Sequence, residues 1–282
     1  MMKIVVTGSN GFIGSYLTPY LKKNNQNVIE ISRNNGYNIC DKSTLENIKE
    51  ADVIVHLAAK TFVPESFENP YDFYDINFKS TLNALELSRK LNAKFILMSS
   101  YSYGEPEYIP IDEKHPLKPH NPYSQSKLIS EDLSKSYARD FGVNIIAFRA
   151  FNIYGPNQSE QFLIPEIYKH IQKGKVVLKD PRPKRDYIHI LDVISALNKA
   201  ILSDIKGFNI YNLGTGISYS VEDIVNVFKK LVPYNFEVEF KNEYRKNEVL
   251  NTVADIHKIS IDFDWTPKIS IEQGIQTIID KN

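Results

Sequence analysis

Several things are scarce in this sequence, and each scarcity excludes something. Cysteine occurs once, at Cys40, so no internal disulfide forms and the thiol reads as a small core residue of a protein in a reducing compartment. Net charge is missing: Lys+Arg and Asp+Glu both number 34, a balance that gives no footing to a nucleic acid or an anionic membrane. No apolar run approaches the roughly 20 residues needed to cross a bilayer. The chain enters a strand at once with KIVVTG (3–8), leaving no room for a signal peptide. The expectation is a soluble, cytoplasmic protein. Six histidines are scattered without ligand spacing, so no metal is expected. Internal repeats and low-complexity tracts are absent as well.

What is present is a core. Apolar residues make up 42% of 282 positions and charged residues 24%, enough for one large α/β domain or a nucleotide-binding domain with a small appendage. KIVVTG, NVIEIS, DVIVHLAA, KFILMSS and NIIAFRAFN read as strands, continuously apolar as in a parallel sheet covered on both faces. Helical patterns lie between them at 12–24, 43–50, 71–91 and 123–141. The last follows Pro122 and stops at Gly142. This alternation predicts an α/β fold with a Rossmann-type, doubly wound parallel sheet. Beyond residue 156 the pattern loosens into short strands (GKVVLKD, FNIYNLG, NFEVEFK) and helices at 221–232 and 270–280. The expected division is a dinucleotide-binding domain over 1–156, rejoined by 186–215, and a small α/β domain from 157–185 and 216–282.

TGSNGFIG (7–14) sets Gly8, Gly11 and Gly14 directly after a strand and at the opening of a helix. The turn needs a residue without Cβ, the second glycine lets backbone approach a pyrophosphate, and the third lets helix pack on strand. NPYSQSK (121–127) places Tyr123 and Lys127 four apart, on one helix face. A phenol with its ordinary pKa of about 10 is a poor base at neutral pH. A nearby ammonium, with a cationic nicotinamide, favours the phenolate. In SSYSYG (99–104) a strand ends in two serines, where a parallel sheet presents groups to ligands.

Together these motifs resemble the extended short-chain dehydrogenase/reductases, in the branch of NAD(P)-dependent nucleotide-sugar epimerases and dehydratases. The resemblance continues through HLAAKTFVPESFENPYDFYDIN (56–77), RAFNIYGPNQ (149–158), KRDYIHILDV (184–193) and the closing DFDWTP. It implies a dinucleotide and a nucleoside-diphosphate sugar as ligands, the sugar nucleotide held by the small C-terminal domain, and a homodimer joined through helices around 71–91 and 123–141. It casts Tyr123 as acid/base, Lys127 as the residue that binds the nicotinamide ribose and lowers the phenol pKa, and a serine as the holder of the reacting oxygen. The strand end selects Ser100 for that serine. Counting back from Tyr103-Gly104 selects Ser99, otherwise a cofactor neighbour. The loop Asn10, Phe12 and Ile13 with its three glycines, then Ser32, Arg33, Asn38, Ile39, Leu57, Ala58, Ala59 and Asn77, fall where the family lines its cofactor. Asn38 stands where relatives carry an Asp. Thr61, Asn152, Arg185, Arg245 and Glu248 fall on the substrate side, with Val63 and Ser66 as further sugar neighbours. Two guanidiniums on a diphosphate form forked hydrogen bonds that lysine cannot copy. His189 reads as structural.

Dehydration calls for an Asp-Glu pair after the catalytic hydroxyl, and Tyr101-Ser102 stands there instead. An NAD epimerase commonly has an aspartate ending its second strand. Here Ser32-Arg33 removes that charge and adds a cation suited to a 2′-phosphate. The sequence therefore favours NADP(H), with NAD(H) as the other choice, and NADPH-dependent reduction of a nucleotide-linked 4-keto-6-deoxyhexose at C4. An NAD-dependent 4-epimerase using the same side chains is the alternative. Arg33 as a solvated loop residue and Glu30 as a substitute acid on the Ser32 face stay open.

Overall fold

The computed structural model describes residues 1–244 and 248–281. The first half of the chain forms β1 (Lys3–Thr7), α1 (Phe12–Lys23), β2 (Asn27–Ile31), β3 (Val53–His56), α2 (Val63–Glu68), α3 (Pro70–Leu91), β4 (Lys94–Ser100), α4 (Pro122–Phe141) and β5 (Ile145–Ala150). There follow β6 (Asn152–Tyr154), α5 (Leu163–Ile171), β7 (Lys175–Leu178), β8 (Lys184–His189), α6 (Ile190–Leu202) and β9 (Phe208–Leu213). The remainder is β10 (Ser218–Ser220), α7 (Val221–Leu231), β11 (Glu237–Phe240), β12 (Asn251–Thr252), α8 (His257–Phe263) and α9 (Ile271–Lys281). Two compact units result. One comprises Met1–Gly104, Pro116–Ala150 and Ile194–Asn212, the other Glu105–His115, Phe151–Val193 and the chain from Leu213 onward.

In the first unit a six-stranded sheet runs in the order β2-β1-β3-β4-β5-β9. Parallel registers align Thr7 with Ile31 and His56, His56 with Leu97, and Ser100 with Ala150. Strand ends therefore collect at one edge of a doubly wound sheet, the arrangement that the alternating pattern predicts. Val5, Ile54, Phe95, Leu97 and Ile145 pack on Ala84 and Leu85 of α3, each side chain gaining about 1.5–3 kcal/mol on leaving water. Asn121 caps α4 by accepting from the Ser124 N–H at 2.8 Å, with Pro122 at the first helical position and Gly142 in a left-handed conformation ending it.

The second unit is a small α/β assembly. Its sheet runs β10-β8-β12 with β6 also on β8, and β11 pairs with β7. Ile167, Tyr168, Val176, Ile224, Phe228 and Ile275 form its core, the Tyr168 and Phe228 rings stacking at 5.8 Å. Asp186 of β8 is wholly buried and accepts four hydrogen bonds, from Thr215 N (2.8 Å) and Oγ1 (2.7 Å), Gly216 N (2.9 Å) and Ala254 N (3.1 Å). This carboxylate ties two loops to β8. Because strand side chains alternate, its neighbour Arg185 points to the other face.

Three local expectations differ from the structure. The helix expected at 43–50 shrinks to a 3₁₀ turn at Lys42–Leu45. There Asp41 accepts from the Ser43 N–H, and the Thr44 hydroxyl donates to the carbonyls of Asn38 and Asp41, side-chain bonds that compete with helix. The first unit breaks off at Ala150 rather than 156, and the chain rejoins it at Ile194 rather than 186, because β8 pairs with β6, β10 and β12. Helices α2, α5, α6 and α8 are too short or too evenly apolar to announce themselves by period.

Candidate active site

The glycine loop is built by close approach. Gly8 has φ of +70°, and a Cβ on it would lie 2.8 Å from the Ala58 nitrogen; a Cβ on Gly14 would lie 2.3 Å from the Gly8 carbonyl oxygen. The Thr7 hydroxyl accepts from the Leu57 and Ala58 N–H groups, at 3.2 and 3.3 Å, so the loop after β3 lies against the cradle. Gly11 caps α1 without a side-chain cap, and no acidic residue stands in the first turn around Phe12 and Ile13. Such a helix end offers N–H groups and a positive dipole end to an anion. These residues fit a dinucleotide pyrophosphate.

At the end of β2, Ser32 donates to Asn10 Oδ1 at 2.5 Å, bridging strand end and glycine loop. Arg33 is exposed and opens a short 3₁₀ turn. Its charge acts on the half-buried Cys40, whose thiol burial pushes up. Cys40 is not a core residue; its Sγ lies 3.8 Å from the Ile76 carbonyl. Glu30 is ion-paired with Lys22 of α1, an engagement that counts against its use as the substitute acid. Asn38 Oδ1 accepts from the Cys40 N–H, and the Ile39 carbonyl accepts from Asn83, so both sit in a stapled loop.

The two serines ending β4 point opposite ways. Ser100 donates to the Tyr123 phenol, whereas buried Ser99 donates to Glu131 Oε1 at 2.5 Å. Alternation along the strand sends them to opposite faces, with Ser99 on the side of the buried Glu131. Tyr123, in the first turn of α4, packs edge-on against the buried Phe73 ring at 6.4 Å. Burial pushes its phenol up, the Ser100 bond opposes that, and Tyr101 adds to it. Lys127 lies one turn further along and is buried; burial pushes its ammonium down to about 8, against the pull of Glu131. The lowered phenol expected from Lys127 is therefore not a property of the protein alone, because desolvation outweighs the groups that favour phenolate.

Asn77, expected beside the cofactor, is engaged by the protein itself. Its Oδ1 accepts from the Lys60 N–H at 2.8 Å, and its Nδ2 donates to the Lys60 carbonyl (3.1 Å) and to Ser126 Oγ (2.8 Å). Fully buried, it fastens the Ala58–Ala59 loop to the first turn of α4. Ser126 also donates to the Tyr123 carbonyl. Thr61 is exposed on that loop, Val63 opens α2, and Ser66 donates to the Val63 carbonyl.

Sequence reasoning passed over a second layer. His56 is buried between Thr7 Oγ1 (2.8 Å) and Thr81 Oγ1 (3.3 Å), and burial, with the Lys127 charge, pushes its ring down to about 3. Glu131 and Arg149 form a buried ion pair at 2.8 Å. The available signal was an arginine inside the apolar run NIIAFRAFN, since a charge in a covered strand requires a buried partner.

In the second unit, Arg185 Nη2 meets Glu248 Oε1 at 2.5 Å and Nη1 donates to the Val249 carbonyl at 2.7 Å, each pair member keeping about a fifth of its side chain exposed (18% and 19%). Asn152 donates to the Asp186 carbonyl at 3.2 Å. His189 sits near Thr277 (3.2 Å), and burial pushes it down to about 4, as a structural histidine. Arg245 lies outside the described residues. No described helix is long and apolar enough to cross a membrane.

Comparison with known proteins adds a family. The model of the NAD dependent epimerase/dehydratase family matches residues 4–214. A Methanocaldococcus jannaschii protein provisionally named a UDP-glucose 4-epimerase is 33% identical over 98% of this chain and 97% of its own. GDP-6-deoxy-D-mannose reductase of Pseudomonas aeruginosa is 26% identical, with 98% and 96% covered. Among solved structures, UDP-glucose 4-epimerase of Thermotoga maritima with UDP-glucose superposes with a TM-score of 0.92 at 28% identity, covering 99% of this chain and 98% of that one. RMD from Pseudomonas aeruginosa with NADPH gives 0.91 at 26%, with the same coverage.

Proposed function

The chain belongs to the NAD dependent epimerase/dehydratase family, and on that premise we propose that it is a cytoplasmic nucleotide-sugar 4-epimerase that works with a tightly held dinucleotide. The observation that carries this reading is the Ser100–Tyr123 hydrogen bond at the C-terminal edge of the sheet, with Lys127 one turn along. The names of similar proteins lean the same way, towards the activity that the sequence ranks second.

A dinucleotide held at the Gly8–Gly14 loop would supply the acceptor and donor of the hydride. Tyr123 removes the proton from the C4 hydroxyl as the carbonyl forms and gives it back afterwards. Ser100 holds the same oxygen, and its donated hydrogen bond favours phenolate. Lys127 supplies a positive charge one turn from the phenol and would hold the nicotinamide ribose. In the second unit Arg185 grips the diphosphate, with Asn152 beside it, and Glu248 holds the nucleoside ribose; Arg245 and Thr61 complete the substrate contacts. Tyr101-Ser102 supplies no carboxylate, so dehydration is disfavoured. Exposed Phe67, Tyr71, Tyr74 and Phe78 of the α2–α3 region, with a shallow depression that Ile129 of α4 also lines, support a homodimer through these helices.

One observation favours a second reading, NADPH-dependent reduction at C4. Ser32 and Arg33 follow β2, and the nearby Glu30 is engaged by Lys22, so none of these residues sets a free carboxylate against a 2′-phosphate. A panel of nucleotide hexoses and 4-keto-6-deoxy nucleotide sugars, each offered with NADH and NADPH, separates the two. Interconversion of C4 epimers with no net change in reduced-nicotinamide absorbance is expected. Stoichiometric loss of NADPH with a keto-sugar would replace epimerisation by reduction.

A further inference from the structure

Beneath the Tyr123 site lies a sealed polar cluster that no step above uses. Glu131 follows Lys127 by one helical turn, on the buried face of α4. Its carboxylate accepts from Ser99 Oγ (2.5 Å) and from Arg149 Nε and Nη2 (3.1 and 2.8 Å). Arg149 Nη1 in turn donates to the Tyr103 hydroxyl at 3.1 Å, and that hydroxyl donates to Asn212 at 2.6 Å. Glu131, Arg149, Tyr103 and Asn212 are all essentially removed from solvent. The cluster therefore ties together α4, the end of β4, β5 and β9, and it grips the serine adjoining Ser100.

We propose that Glu131 is a positioning residue: fixed by Arg149 and Ser99, its carboxylate keeps Lys127 cationic and holds the end of β4 in register with Tyr123. This rests on the reading of Tyr123 and Lys127 as the acid–base pair. Among the described residues, Glu131 is the charge that raises the Lys127 ammonium. His56 on β3 is neutral, Thr81 and Asn77 on α3 are uncharged, Ser99 and Ser100 on β4 are hydroxyls, and Tyr123 and Tyr101 are phenols. Arg149 on β5 is a cation already engaged by the carboxylate. Burial alone would take the Lys127 ammonium lower than the value of about 8 at which it stands, and Glu131 is the anion that opposes the fall.

The test is a pH titration of the full chain labelled with carbon-13 at lysine Cε, the Lys127 signal being identified by its loss in Lys127→Arg. In Glu131→Gln the Lys127 ammonium is expected to titrate about one unit lower, which reduces its ratio of cationic to neutral form about tenfold. Glu131→Asp is expected to restore much of that shift. The acid–base pH profile of turnover is expected to move with it, while KM stays within about twofold. If Glu131→Gln fails to fold, the double variant Glu131→Gln/Arg149→Met removes both buried charges together, with the same direction expected. An unmoved Lys127 titration in the folded variant overturns the proposal. The acid–base reading fails separately, if Tyr123→Phe keeps full turnover while Lys127 still answers to Glu131.

Discussion

Two of the arginine–glutamate pairs among the described residues share their chemistry and differ in kind. Arg149–Glu131, in the first unit, is sealed: both side chains are 4% exposed, and a tyrosine and a serine hydroxyl add hydrogen bonds to the pair. Arg185–Glu248, in the second, meets at 2.5 Å with nearly a fifth of each side chain in water. A buried pair has no substitute for its partner, so it behaves as scaffold. A pair open to solvent is worth little on its own, and its guanidinium can exchange a carboxylate for a diphosphate. Exposure, rather than pairing, separates the arginine sealed in the core from the arginine left open to solvent.

The largest effect that could break this contrast comes from Arg149→Met. Leaving Glu131 buried without its partner is expected to cost about 3–5 kcal/mol in urea unfolding; a loss below about 1 kcal/mol would show that the pair is not sealed. Next comes the pH response of the same region, which accepts no new charge. The His56 ring, at about 3 in the folded protein and about 6.5 unfolded, binds its proton more readily in the unfolded chain. Stability from this group is therefore complete above pH 6.5 and falls as the pH drops towards 3, by about 2 kcal/mol between pH 7 and 5. The extra acid sensitivity should vanish in His56→Asn, measured as the difference in urea midpoints at the two pH values. Smallest is Arg185→Gln, expected to raise the Kd for a nucleoside diphosphate about tenfold, or ~1.4 kcal/mol, while unfolding stability moves by less than ~1 kcal/mol. Equal losses of stability in the two arginine variants would erase the distinction.

Residues legible in the sequence share a property: their signal is local. The Gly8, Gly11 and Gly14 spacing, the Asn121-Pro122 start of α4 and the strand-end serines each declare themselves within a few positions. The roles that escaped notice act across the chain. Asn77 fastens a loop seventeen residues before it and a helix forty-nine after it, and nothing near Asn77 reveals both partners. Glu131 could be read as a carboxylate one turn from Lys127, but not as the partner of Arg149. Lys184–His189 carries a motif visible in one dimension, yet its membership of the second sheet depends on β6, β10 and β12, which no local pattern pairs with it.

By itself the sequence determined the class of the fold, the phosphate cradle and the spacing that brings Tyr123 and Lys127 onto one helical face, because hydrophobic period, glycine and capping chemistry act over one or two turns. Only the tertiary structure decided which serine meets the phenol, which polar side chains are sealed as scaffold and how far each titratable group departs from its ordinary range. Those outcomes depend on desolvation and on partners distant along the chain, and both arise when the layers close.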